Sequence, residues 1–105
     1  MGVLVLAQPA GSFINQIPGP IFIAIHTAAF LIGAFYAYKC FQADQPMFAW
    51  GFTLFTLAEI SYITYHLDWT VFLFAHTISE VLDLLAFVVI FVALARTVLG
   101  RERRA

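Results

Sequence analysis

The sequence predicts an all-α integral membrane protein: a three-helix transmembrane bundle preceded by a short N-terminal arm. Three observations predict it. The chain is 63% hydrophobic and 10% charged, whereas an ordinary globular domain is roughly a quarter charged. At 105 residues, a soluble fold lacks the interior to hide so much apolar surface. Three apolar stretches, each about as long as the roughly 20 residues that span a bilayer, are separated by short polar breaks.

The first 20 residues read as an extended or interfacial arm. Its apolar run, Val3 to Ala7, has no positively charged start and is shorter than a secretory core, so cleavage is not expected. Pro18, Gly19 and Pro20 end the arm. The first helix is expected over about residues 21–41, with Pro20 suited to its first turn. The second is expected over about 46–66, opened by Pro46, and the third over about 70–99. The Leu67, Asp68, Trp69 break is so short that helices two and three should form a tight antiparallel hairpin. Asp68 is expected to cap the third helix through its side chain.

Orientation follows from Lys and Arg, which concentrate on the cytoplasmic side. Lys39 ends helix one, and Arg96, Arg101, Arg103 and Arg104 end helix three. Both ends fall on one side, which places the N-terminus outside and the C-terminus in the cytoplasm. The expected location is the inner membrane of a bacterium or archaeon. A net charge of −1 and the lack of a basic stripe give nucleic acid nothing to bind. The expected partners are the lipid bilayer and either other membrane subunits or further copies of the chain.

The ionisable residues carry the functional question. All three histidines and four of the six acidic residues fall in the outer half of this layout. Each costs roughly 2.5–3.5 kcal/mol at a helix centre on insertion scales. Counted from the outer ends, His26 and His76 each lie about six residues deep, roughly 9 Å at 1.5 Å per residue. Glu59 lies at a similar depth, with Glu80 one turn deeper and Asp83 about one turn deeper again. His76, Glu80 and Asp83 share a face at i, i+4 and i+7, as do Glu59, Tyr62 and His66 at i, i+3 and i+7. Two stripes joined by a tight turn should face each other, and His26 should complete the site from helix one. His66 and Asp68 belong to a wetted rim.

Several chemistries suit such a layer. His26, Glu59, His76 and Glu80 are a candidate ligand set for a transition metal ion such as Zn, Cu or Fe. A b-type haem on His26 and His76 is an alternative, with Ala28, Ala29 and Ala75 leaving room nearby. Proton carriage or a quinone headgroup, with Tyr62 and Tyr65 as donors, is a third. A purely structural network of Tyr62, His66, Asp68 and Asp83 with the others, holding no cofactor, is the fourth. Covalent catalysis has no support. Cys40 is the only cysteine, lies on the side opposite the histidines, and cannot form an internal disulfide. No phosphate loop, CxxC pair or catalytic triad is present. Gly33, with Ala34 and Ala37, offers a close packing face.

These readings lead to two functional expectations. One is a small accessory subunit of a larger energy-transducing or oxidoreductase membrane complex. The other is a self-contained homo-oligomer that binds a transition metal or haem, or conducts protons or ions, through the His and carboxylate cluster.

Overall fold

The computed structural model describes residues 10–104, with side chains described for 10–100. The expected arm therefore lies partly outside the described residues. Within them it forms a 3-10 turn at Ser12–Gln16. Gly11 opens that turn at φ +84°, a conformation that costs glycine little because it has no Cβ. Three long helices follow: α1 at Gly19–Gln42, α2 at Pro46–His66 and α3 at Phe72–Arg104. No strand occurs among the described residues.

The boundaries have local causes. Pro20 and Pro46 occupy first-turn positions, where a missing N–H costs nothing. Both interhelical turns use the same stop. Asp44 and Asp68 adopt left-handed backbone conformations, at φ +55° and +63°. Asp44 N–H donates to Phe41 O at 3.3 Å and Gln45 N–H to Cys40 O at 2.9 Å. Likewise Asp68 N–H donates to Tyr65 O at 3.0 Å and Trp69 N–H to Thr64 O at 2.9 Å. These are paired Schellman closures, which satisfy the last helix carbonyls. Asp68 thus ends α2 instead of capping α3, which begins later, at Phe72. Aspartate suits both a cap and a left-handed residue, and the backbone hydrogen bonds decide between them.

Two helices, α1 and the Phe72–Gly100 part of α3, are long and apolar enough to cross a membrane, with mean hydropathies of 1.8 and 2.5. Helix α2 is long enough but less apolar, because Thr, Ser, Tyr, Glu59 and His66 interrupt it. It is also the central element. Helices α1 and α3 each pack on α2, and no α1 residue comes within 8 Å of α3, Cα to Cα.

Small residues make the α2–α3 seam. Ala49, Ala58, Ala75 and Ser79 are fully buried, and Ala86 and Ala93 nearly so. Such side chains let helix backbones approach closely. Two serines bond across the seam: Ser79 Oγ donates to Ala58 O at 2.9 Å, and Ser61 Oγ to Ala75 O at 3.4 Å. A Cβ on Gly51 would overlap the Ile90 side chain. On the other side of α2, a Cβ on Gly33 would lie 2.5 Å from Thr56 Oγ1. Gly33 and Ala37 are the buried residues of α1. At the turn between α2 and α3, Thr64 Oγ1 donates to Ser61 O at 2.6 Å and lies 3.1 Å from Thr70 Oγ1, which ties the turn to α2.

Candidate functional site

Because α1 and α3 meet α2 but not each other, a groove runs along one face of α2. Its lining obeys helical spacing on all three elements. Phe22, His26, Gly33 and Tyr36 contribute from α1, and Phe72, Asp83 and Ile90 from α3. Phe52, Phe55, Glu59, Tyr62 and His66 contribute from α2 at i, i+3, i+7, i+10 and i+14.

The polar half of the groove begins with one pair. His26 Nδ1 lies 2.5 Å from Glu59 Oε2, with side chains only 20% and 12% exposed. A carboxylate at this distance accepts, so Nδ1 donates. The His26 ring then stacks on Tyr62, at a centroid distance of 4.9 Å, and on His66 at 5.3 Å. His66 stacks in turn on Phe22, at 5.1 Å and nearly parallel. Tyr62 Oη lies 3.4 Å from His76 Nδ1, a long hydrogen bond that joins α2 to α3. His76 stacks on Phe72 at 5.3 Å. Polar contacts and ring stacks therefore link all three helices through Tyr62.

Two cavities occupy the groove. The outer one, about 520 Å³, is lined by rings and polar groups, among them Asn15, Phe22, His26, Tyr65, His66 and Phe72. The inner one, about 340 Å³, is lined by apolar side chains such as Ile32, Phe52, Phe55 and Ile90, with one carboxylate, Asp83. Asp83 Oδ1 is buried and has no hydrogen-bond partner, the only such side-chain atom among the described residues.

The structure thus places the sequence candidates unequally. It joins His26 to Glu59 and Tyr62 to His76. It sets His66 in the ring stack and Asp83 in the apolar cleft. Asp68 is exposed in the turn, and Glu80 is exposed on α3. Among the described residues, no group of three or more His, Cys, Asp or Glu is arranged to hold a metal ion. The four expected metal ligands accordingly do not converge on one centre. His26 and His76, the two histidines expected as haem ligands, are bridged by one side chain. Tyr62 stacks on one ring and bonds the other, so it lies between the two histidines. Ala75 is buried in the α2–α3 seam, Ala28 is exposed and Ala29 is half-buried. The sequence reading passed over Ser61 and Ser79 as site-forming residues. Their partners are backbone carbonyls, which leave no mark in a sequence.

No family model, curated protein or solved structure matches this chain.

Proposed function

We propose that the chain is a small integral membrane subunit in which all three helices cross the bilayer and whose outer-half polar groove serves a larger energy-transducing or oxidoreductase complex. The single observation that carries this reading is the His26–Glu59 pair inside a groove walled by two helices apolar enough to cross a membrane. Water satisfies such a pair on a soluble protein at no net gain. In hydrocarbon, intramembrane ionisable groups face a bundle interior or a functional path. The less apolar α2 fits the bilayer because its polar atoms turn inward. Glu59 and Ser61 are buried, and the hydroxyls of Thr53 and Thr56 donate to carbonyls one turn earlier. The outer surface supports a subunit role. Phe74, Phe91, Leu73 and Leu84 are all more than half exposed, a surface for lipid or neighbouring subunits.

A self-contained homo-oligomer is the second reading. The same pair favours it: one His and one carboxylate are half of a tetrahedral ligand set, and a second copy would supply the rest.

The deciding experiment tags the chain in its native membrane, extracts it in mild detergent and separates the complexes on a native gel. Co-migration with different polypeptides supports the subunit reading. A homo-oligomer that carries stoichiometric metal supports the second. Release of the chain by alkaline carbonate overturns both. Labelling of Cys40 by an impermeant maleimide tests orientation: the thiol should react in inverted vesicles and not in intact cells.

A further inference from the structure

We infer that the groove is a binding site for a lipophilic molecule with a neutral, planar headgroup of the quinone class: the ring sits in the outer cavity, and the tail lies in the cleft beneath it. The inference rests on the membrane reading above and deepens it by naming what the groove takes.

Three observations point to this occupant. The first is alignment: the two cavities share no lining residue but follow one another along the groove. Both cavities lie on the same helical faces, with Gly33, Tyr36, Phe52 and Phe55 continuing the line of Phe22, His26, Tyr62 and His66. The outer part carries polar groups among its apolar rings and the inner part is almost wholly apolar, which matches one molecule with a head and a tail.

The second is the character of the outer cavity. Its walls are rings, stacked or edge-on at centroid separations of 4.9–5.4 Å, and a planar head packs against such walls by offset stacking. No Lys or Arg lines it, so a phosphate headgroup would lack the cation it needs. Neutral hydrogen-bonding groups are present instead. Among the described residues, Tyr65 Oη, the His66 ring nitrogens and the Asn15 amide have no hydrogen-bond partner. They suit the carbonyl or hydroxyl oxygens of a quinone or quinol.

The third observation argues against a helix as the occupant. Where helices pack in this protein they do so through Ala, Ser and Gly, as at Ala58, Ser79 and Gly51. The cleft presents six large side chains, Ile32, Tyr36, Phe52, Phe55, Phe87 and Ile90, beside the small Gly33 and Ala86. These large side chains keep a second backbone away but leave a channel the width of an isoprenoid or alkyl chain.

The test uses the full chain reconstituted in phosphatidylcholine nanodiscs. The probes are a benzoquinone with a decyl tail, the same ring without a tail, and a photoreactive azido derivative of the tailed compound. Flotation with liposomes comes first. A chain that stays at the bottom of the gradient overturns the membrane reading, and this inference falls with it. For a chain that floats, the azido probe should label the peptides that carry Phe22–His26 and Tyr65–Phe72, and excess tailed quinone should suppress the label. Tyr65→Phe combined with His66→Ala should weaken binding of both quinones by about tenfold or more. Ile32→Trp, at an exposed wall of the cleft, should weaken the tailed compound and spare the tailless ring. Label spread evenly over outward residues such as Phe74 and Phe91, or displaced equally by phosphatidylglycerol, overturns the inference and leaves the membrane reading intact. Equal affinity in wild type and all variants does the same.

Discussion

His26 Nδ1 lies 2.5 Å from Glu59 Oε2, and this contact fastens the N-terminal half of α1 to α2. Gly33 and Ala37 supply the small-residue packing deeper along the same interface. The N-terminal half instead relies on the pair and on the ring stack around it. Removing one partner leaves the other in a half-buried, apolar setting. Glu59→Ala should therefore destabilise the chain in detergent by about 1–3 kcal/mol, the cost of an orphaned buried polar group. Glu59→Gln keeps an acceptor oxygen and should cost less. A double-mutant cycle with His26→Ala, read by denaturant unfolding in micelles, should return a coupling energy of about 0.5–3 kcal/mol. Additive single-site effects would show that the two side chains do not support each other.

The close approaches at Gly51 and Gly33 give a second expected outcome. At either position alanine must displace a neighbour: Ile90 in one case, Thr56 and the Phe55 ring in the other. Each substitution should cost about 1–3 kcal/mol through overpacking. Gly100 is the internal control, since a Cβ there meets nothing within 4 Å. Gly100→Ala should be neutral or slightly stabilising, by up to about 1 kcal/mol from helix propensity. Thermal unfolding of the three variants side by side reads this ordering. Equal effects at all three positions would mean that the seams are looser than described.

Much of this architecture was legible in the sequence. Pro20, Pro46 and the polar breaks marked three helices, because proline and short polar runs act locally. The hairpin of α2 and α3 followed from the length of the Leu67 to Trp69 break. Depth counting also brought His26 and Glu59 to one level, since helical rise is fixed. What was not legible depends on the third dimension. Nothing in the sequence states that α1 and α3 stay apart, so the groove could not be foreseen. Glu80 looked equivalent to its neighbours His76 and Asp83. The seam turns Ser79 fully inward, and Glu80, the next residue, is left exposed. Asp68 was misplaced because one residue type serves two backbone roles.

The paired aspartate stops give a third expected outcome. Asp44 and Asp68 hold left-handed conformations that glycine adopts at little cost. Asp44→Gly and Asp68→Gly should each leave the fold unchanged and alter stability by less than about 1 kcal/mol, favourably where relief of strain exceeds the added chain entropy. Asp44→Val and Asp68→Val should be clearly worse, because a β-branched side chain resists positive φ. Circular dichroism melts of the four variants check this. Valine tolerated as well as glycine at both sites would argue against the Schellman closures.

Asp83 is the residue whose chemistry most exceeds the needs of the fold. Its Oδ1 is buried without a partner in a cleft otherwise lined by Ile32, Phe52, Phe55 and Ile90. A buried, unpartnered acceptor costs about 1–3 kcal/mol, and replacing it with an apolar group removes that cost. Asp83→Leu should therefore raise the unfolding free energy of the isolated chain in micelles by about 1–2 kcal/mol. Asp83→Asn keeps a polar group in the cleft and should gain less. The same leucine should also make the cleft a wholly apolar channel and leave tail binding intact. Stability gained with tail binding kept would assign the carboxylate a role outside folding, in whatever the groove does once it is occupied. A loss of stability in Asp83→Leu, measured by denaturant titration, would instead show that the carboxylate is satisfied within the folded chain.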